Sequence, residues 1–172
     1  MLDRVVSAIE GVTSVTIIAA NDDMAHTWLD GATIARDIYP SSGGLAGVHA
    51  ALSLGSDIIV GAWDMPFVSQ LLFKDILDRA IRTRARAVVP ESDTTARLEP
   101  FCAFYSQRVL EDLDAFLAKG GGSAKSFLAS LPDIERIPFA DVERFGDPSR
   151  ILFSVNTPED LARARAIADQ AQ

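Results

Sequence analysis

The sequence predicts an α/β fold with a doubly wound, mostly parallel sheet. Short apolar segments alternate with amphipathic helical segments along the chain, which is the βαβ pattern. The run Ile58-Ile59-Val60 is β-branched throughout, as in a strand buried on both faces. Polar residues follow several of the apolar segments directly, where strands of such a sheet end. These three observations indicate a single domain over residues 1–172.

Bulk composition sets limits on the class of protein. With 172 residues, 48% of them hydrophobic, the chain can bury a core in one domain. A net charge of −8 argues against nonspecific attachment to nucleic acid or to an anionic membrane surface. Cys102 is the single cysteine, which excludes an intrachain disulfide and fits a reducing compartment. The chain shows neither a leader nor an apolar run of bilayer length, so we expect a cytoplasmic protein.

The first third of the chain predicts two helix-strand pairs. Apolar residues at helical spacing predict a helix over residues 1–11, and a strand follows over 12–20. Asn21 closes that strand. A short polar helix through Trp28 leads into a weak strand over 32–38, which ends near Asp37. Asn21 and Asp37 are therefore expected at neighbouring strand ends.

Asp64 terminates the predicted central strand. Pro66 follows two residues later, and because proline suits the first turn of a helix, the chain turns sharply at this point. In open α/β sheets the carboxyl ends of the strands are where ligands bind. A lone aspartate there is a natural ligand for a divalent cation that carries phosphates. The alternative is that Asp64 only caps the next helix.

The remaining chain continues the same alternation. Helices are predicted over residues 68–82, 107–119, 123–131 and 158–168, and strands over 85–90, 97–106, 134–139 and 151–155. Pro100 suggests an edge or a bulge in the strand 97–106. Arg97 could contact a phosphate, although an exposed arginine on an edge strand is the simpler interpretation.

A glycine-rich loop precedes the helix predicted from Leu45 to Leu54. Gly43, Gly44 and Gly47 let the backbone approach a ligand, and the helix start offers free amides. The second glycine run, 120–122, lacks the glycine before lysine that a phosphate loop needs, so Ser123 is better explained as a helix N-cap.

The segment Asn156-Thr-Pro-Glu-Asp is a helix start. Capping and an acidic first turn explain residues 157–160, but leave Asn156 without a structural explanation. His26 and His49 lack partners at metal-binding spacing. No serine stands in a nucleophile-elbow context, so hydrolysis by a catalytic triad has no support.

Together these segments resemble the molybdenum cofactor guanylyltransferase family, whose members share a three-layer, Rossmann-like nucleotidyltransferase fold. The resemblance follows the whole chain in order. It is carried by Asn21, Asp37, the Gly-Leu-Ala-Gly loop at 44–47, Asp64-Met-Pro-Phe, the segment 97–105 with Pro100, the Gly122-Ser123 helix start and Asn156-Thr-Pro-Glu-Asp-Leu.

The resemblance implies transfer of GMP from GTP to molybdopterin with release of pyrophosphate. It implies that Asn21 and Asp37 contact the guanine nucleotide and that Asp64 holds Mg²⁺ against its phosphates. Gly43, Gly44, Leu45, Gly47 and Asn156 would shape the substrate cleft. Molybdoenzyme maturation proteins are implied as further partners. Gly44 stands where the family usually has proline, which loosens the loop without removing an amide.

The start of the chain departs from the family pattern. Family members open with a strand and a glycine-rich loop that cradles the triphosphate, whereas Met1-Leu-Asp-Arg matches the middle of the following helix. A misassigned start or a true truncation would explain this. We therefore expect a sheet that lacks its first strand, with a gap between strands, low stability and little transferase activity.

Two other activities stay open at this point. One is a sister transferase that uses CTP or acts on another phosphorylated acceptor, because base choice rests on a few hydrogen bonds. The other is a noncatalytic remnant that only binds nucleotide.

Overall fold

The computed structural model describes residues 1–39 and 42–169. The strands are β1 (Ile17–Ala19), β2 (Thr33–Ala35), β3 (Ile58–Gly61), β4 (Ala87–Pro90), β5 (Cys102–Tyr105) and β6 (Ile134–Ile137). The helices are α1 (Leu2–Glu10), α2 (Gly44–Leu52), α3 (Gln70–Thr83), α4 (Leu110–Ala118), α5 (Ala124–Ser130), α6 (Phe139–Val142), α7 (Pro148–Ile151) and α8 (Pro158–Asp169), with 3₁₀ turns at Ala25–Thr27, Gln107–Val109 and Glu143–Phe145. Across these two ranges, no helix is both long and apolar enough to cross a membrane.

The strands form two sheets. β1 and β2 are parallel, with Ile18 opposite Ile34, and make a two-stranded sheet. The second sheet has the order β3-β5-β4-β6. β5 runs antiparallel to both of its neighbours, and β4 and β6 are parallel. In the described part of the chain no strand pairs with both β1 and β3, which agrees with the expected gap.

Helices cover both faces of the larger sheet and give a three-layer architecture. Because side chains alternate along a strand, Val88 and Phe104 face one core, which α1, α3 and α6 share. Val89 and Tyr105 face the other core, which α2, α4 and α5 fill. Both β4 and β5 are buried along their whole length, so the continuous apolar pattern of these strands follows from burial on both faces.

α1 and α3 lie on β3 from one side. A Cβ atom at Gly61 would lie 2.9 Å from the Ile9 side chain and 3.0 Å from those of Val5 and Phe73, so α1 packs directly on the strand. Ser69 is the N-cap of α3, and its hydroxyl accepts a hydrogen bond from the Leu72 amide at 3.4 Å. This packing orients the end of β3, from which the chain continues to Asp64.

The structure corrects the prediction of a strand at 151–155. Asp147 caps α7 by accepting the Ser149 amide at 2.9 Å, and Pro148 occupies its first turn. The apolar pair Ile151 and Leu152 is buried at the end of this helix, which produced the strand-like pattern.

Other predicted boundaries were too long. The segment 97–106 forms a strand only over Cys102–Tyr105, because Arg97 lies in a turn where its amide donates to Asp93 at 3.3 Å. The predicted strands 12–20 and 32–38 shorten to the three-residue strands β1 and β2. The predicted helix 107–119 begins with a 3₁₀ turn, because Ser106 caps that turn first.

Candidate active site

Asn21 and Asp37 form a reciprocal pair just beyond β1 and β2. The Asn21 side-chain amide donates to Asp37 Oδ2 at 3.2 Å, and the Asp37 backbone amide donates to Asn21 Oδ1 at 2.9 Å. The parallel pairing of β1 and β2 brings these two positions side by side, as the sequence predicts. The two hydrogen bonds fix the orientation of both side chains.

Asp37 keeps one carboxylate oxygen without a partner. Its Oδ1 is buried and makes no hydrogen bond within residues 1–39 and 42–169. Burial raises the pKa of Asp37, while the hydrogen bond from Asn21 and the nearby His49 ring lower it. A buried acceptor without a donor is energetically costly, so this oxygen is suited to a ligand that donates a hydrogen bond.

Asp64 lies three residues beyond β3, in the turn that leads to α3. The Met65 amide donates to the Ala62 carbonyl at 3.1 Å, which closes the turn, and the Val155 amide donates to the Asp64 carbonyl at 2.9 Å. The second bond brings the chain before Asn156 against Asp64. Burial raises the pKa of the Asp64 carboxyl above its ordinary value. None of the ion pairs in the described residues includes this carboxylate.

The glycine loop leads into α2 as predicted, although Pro40 and Ser41 lie outside the described residues. Gly43 has φ 58°, a left-handed value that favours glycine, and stands just before the helix. A Cβ at Gly47 would lie 3.2 Å from the Ala19 Cβ, so α2 packs closely on β1. Leu45 is buried in the core beneath.

Phe101 connects this loop to the end of β3. A Cβ at Gly44 would lie 2.5 Å from the Phe101 ring, so the ring packs directly against the start of α2. The Phe101 carbonyl accepts the Ala62 amide at 2.8 Å, two residues before Asp64. Gly44 therefore provides space for an aromatic ring, in addition to loosening the loop.

α2 thus lies between the two halves of the site. Its first residue, Gly44, contacts Phe101 beside the Asp64 turn, and Gly47 on the same helix packs against Ala19, two residues before Asn21. The His49 imidazole is buried and lies 3.3 Å from Asp114 of α4. Both halves are therefore held by one helix, although no direct hydrogen bond joins Asp64 to the Asn21–Asp37 pair within the described residues.

A polar groove of about 410 Å³ is lined by the residues on either side of Val155, whose amide donates to the Asp64 carbonyl. Arg97, Glu99 and Asn156 line it, together with Ser92, Ser149 and Asp160. Arg97 is held by a 3.2 Å hydrogen bond from its Nε to Ser92. Asp160 accepts the backbone amides of Asn156 and Thr157, and this cap fixes the loop that carries Asn156.

Glu99 is a site residue that the sequence analysis missed. Burial raises its pKa, the Phe101 amide and Arg97 lower it, and the negative charge of Asp64 raises it. The signal that could have identified it is Glu99-Pro100, a carboxylate at the start of a central strand.

The carboxylates of this site suit Mg²⁺. Asp64 is partly buried and forms no ion pair with the described residues, so a bound divalent ion would relieve the cost of its charge. The described residues contain no group of three or more His, Cys, Asp or Glu side chains that could hold a metal alone. A site with one or two carboxylates fits magnesium, which is usually held by that number of carboxylates together with substrate phosphates.

Ser123 caps a helix, as predicted, and Cys102 is a structural residue of the core. The Ser123 hydroxyl accepts the Ser126 amide at 3.0 Å and caps α5. Cys102 is fully buried, and burial raises the pKa of its thiol, so it is not poised as a nucleophile.

Comparisons with known proteins support the resemblance. The family described as "MobA-like NTP transferase domain" matches residues 1–135. A molybdenum cofactor guanylyltransferase from Desulfosudis oleivorans is 33% identical over 171 residues, covering 96% of this chain and 81% of that protein.

Two solved structures share the fold. Molybdopterin-guanine dinucleotide biosynthesis protein A from Archaeoglobus fulgidus superposes with a TM-score of 0.79 at 26% identity, covering 95% of this chain and 86% of that one. A 4-diphosphocytidyl-2C-methyl-D-erythritol synthase from Anaerococcus prevotii reaches a TM-score of 0.68 at 14% identity, covering 98% and 85%, which shows the nucleotidyltransferase fold alone. The chain belongs to the MobA-like nucleotidyltransferases, the family of the molybdenum cofactor guanylyltransferases.

Proposed function

We propose that the reaction of this chain's site is the transfer of GMP from GTP to molybdopterin with release of pyrophosphate, as the names of its relatives indicate, and that it proceeds at the low rate that the sequence predicts. The observation that carries the proposal is the Asp64 carboxylate. It is partly buried, makes no ion pair within the described residues, and stands three residues beyond β3, where its backbone carbonyl accepts the amide of Val155, between two residues that line the polar groove. Such a carboxylate is suited to a magnesium ion that neutralises triphosphate charge.

The reaction is an in-line displacement at the α-phosphorus of GTP. The terminal phosphate of the acceptor attacks, and pyrophosphate leaves from the opposite side. Magnesium, when bound, neutralises the charge that develops on the phosphate oxygens. Asp64 would hold the ion, and the free amides at the start of α2 would contribute positive potential toward an anionic ligand. The protein therefore acts mainly by alignment and electrostatics.

The Asn21–Asp37 pair is suited to guanine. Asp37 Oδ1 accepts no hydrogen bond from the described residues, and guanine presents two N–H donors on its Watson–Crick edge. Cytosine presents one such donor, the exocyclic amine. Asp37 therefore favours GTP over CTP, and thermal shift measurements with each nucleotide plus Mg²⁺ test this choice.

The groove beside Asp64 is suited to the phosphorylated acceptor. Arg97 can donate two parallel hydrogen bonds to a phosphate, and the side-chain amide of Asn156 can donate one more. In the Arg97→Lys variant, which keeps the charge but loses the paired donors, we expect the KM for the acceptor to rise about tenfold while the affinity for GTP stays unchanged. A rise in the GTP dissociation constant of the same size would place Arg97 on the nucleotide side instead.

The direct test of the proposal is the Asp64→Asn variant. Turnover with Mg²⁺, GTP and molybdopterin should fall at least 100-fold, because removing one precisely placed electrostatic group typically costs that much. The melting temperature should stay within a few degrees of the wild-type value. Asp78→Asn removes an exposed carboxylate on α3 and serves as the matched control. Equal loss of stability and activity in Asp64→Asn would show that Asp64 only supports the fold.

The same proposal places the enzyme in the cytoplasm. The single cysteine is buried and reduced, as in proteins of a reducing compartment.

A further inference from the structure

A second pocket lies at the surface where α1, the start of the α3 segment and α7 meet. It has a volume of about 450 Å³ and is lined by Asp3, Arg4 and Ser7 of α1, by Phe67, and by Arg150 of α7. It shares no lining residue with the groove beside Asp64. The function proposed above does not use it.

Two arginines in this pocket are held by one aromatic ring. The guanidinium carbon of Arg4 lies 5.8 Å from the centre of the Phe67 ring, and that of Arg150 lies 5.4 Å from it. A cation over an aromatic face is attracted by the ring quadrupole. A cation–π contact of this kind does not use the N–H groups of a guanidinium as hydrogen-bond donors.

Arg4 and Arg150 have no ion-pair partner among residues 1–39 and 42–169. In the described part of the chain, neither forms an ion pair, whereas Arg79 contacts Asp75, Glu135 and Asp141 together. Asp3 is the one carboxylate residue that lines the pocket. In a chain of net charge −8, two arginines on one ring form a local positive site.

We propose that this pocket binds a diphosphate group, with Arg4 and Arg150 each donating paired hydrogen bonds to one phosphoryl end. Because both guanidinium carbons lie within 5.8 Å of one ring centre, they are less than about 12 Å apart, within reach of a diphosphate held at both ends. The Ser7 hydroxyl can donate to the same anion. Asp3 opposes binding and limits the affinity.

The test is isothermal titration calorimetry of the full chain with inorganic pyrophosphate, in EDTA so that no divalent metal contributes. We expect one binding event that survives in Asp64→Asn and also in Arg97→Gln, which removes the arginine of the groove beside Asp64. Arg4→Gln and Arg150→Gln should each weaken it about tenfold, and Asp3→Asn should tighten it several-fold.

Arg4→Lys and Arg150→Lys keep the charge and should still weaken it. Arg136→Gln, an exposed arginine of β6, is the matched control for loss of one charge.

Inorganic phosphate and GDP distinguish the ligand classes. Phosphate alone should bind at least tenfold more weakly than pyrophosphate, because it reaches one guanidinium. In the Asp64→Asn background, equal affinity for GDP and pyrophosphate identifies the ligand as the diphosphate of a nucleotide, and a preference for pyrophosphate identifies the free anion. Any of three results would overturn the proposal. These are an unchanged affinity in the Arg4→Gln/Arg150→Gln double variant, loss of all binding in Asp64→Asn, and no binding of pyrophosphate to the wild type. Because these measurements involve neither metal nor turnover, they do not depend on the transferase activity.

Discussion

At the scale of single residues, the site depends on carboxylates that the fold holds partly out of water. Burial raises the pKa of Asp37, Asp64 and Glu99 alike. The sequence predicted Asp37 and Asp64 because both end an apolar run. The signal Glu99-Pro100 was weak, since a carboxylate that precedes a strand is typical of the protein surface, and only the fold shows that Glu99 is buried.

Because of Cys102, the free energy of unfolding should fall as the pH becomes alkaline. Its pKa is raised by burial, so the folded protein keeps the thiol neutral, while the unfolded thiol ionises above about pH 8.5. The stability it contributes is complete below that pH and is lost as pH rises. Between pH 8 and 9.5 the wild type should lose about 1 kcal/mol more unfolding free energy than Cys102→Ala.

Urea unfolding at the two pH values measures this difference. Identical losses in the two proteins would mean that the thiol is solvated in the folded state.

At the scale of elements, α2 is the part that organises the site. Its start packs on Phe101, and its body packs on β1 through Gly47. The glycine pattern predicted the loop and the helix, but not the role of Gly44, because the Phe101 ring that fills the space comes from a segment 57 residues away. Such close approaches between distant segments are not visible in a local pattern.

Gly44 and Phe101 should therefore be energetically coupled. Gly44→Ala should destabilise the protein by about 1–2 kcal/mol, because the new methyl group overlaps the ring. In a Phe101→Ala background the same change should be neutral or stabilising, since alanine favours helix more than glycine does. A double-mutant cycle of chemical unfolding measures the coupling. Additive effects would contradict the close packing.

The cap of α5 gives a second prediction at this scale. Ser123→Ala removes the acceptor for the Ser126 amide and should cost about 1 kcal/mol of unfolding free energy. Ser123→Asp should keep most of the stability. Lys125→Ala, an exposed position in the same helix, is the control and should change the unfolding free energy by less than about 0.5 kcal/mol. A cost for Ser123→Asp equal to that of Ser123→Ala would argue against capping.

At the scale of the whole molecule, the division into two sheets is the dominant feature. The helix-strand alternation predicted the fold class, and the family resemblance predicted the three layers and a gap in the sheet. The failed prediction, the strand at 151–155, arose because buried residues at the end of α7 imitate a strand. The order and periodicity of the apolar segments thus predict the overall architecture. Short helices with their own caps, such as α7, become visible only in the tertiary structure.

The two sheets should differ in local stability. β4 and β5 are buried throughout, whereas β1 and β2 are three residues long and only partly buried. Two-stranded sheets are marginal by themselves. Hydrogen exchange should therefore show amides of β1 and β2 opening at much lower free energy than those of β4 and β5. Equal protection in both sheets would show that they unfold as one unit.

The most direct test of the central claim is paramagnetic broadening of backbone NMR signals by Mn²⁺ in the presence of GTP. Manganese substitutes for magnesium at oxygen-ligand sites. Signals of Asp64, Asn156 and the 43–47 loop should broaden strongly, those of Asn21 and Asp37 should broaden as well, and the effect should disappear in Asp64→Asn. Broadening that persists in Asp64→Asn, or that spares Asp64 and Asn156, would show that the metal and nucleotide bind elsewhere.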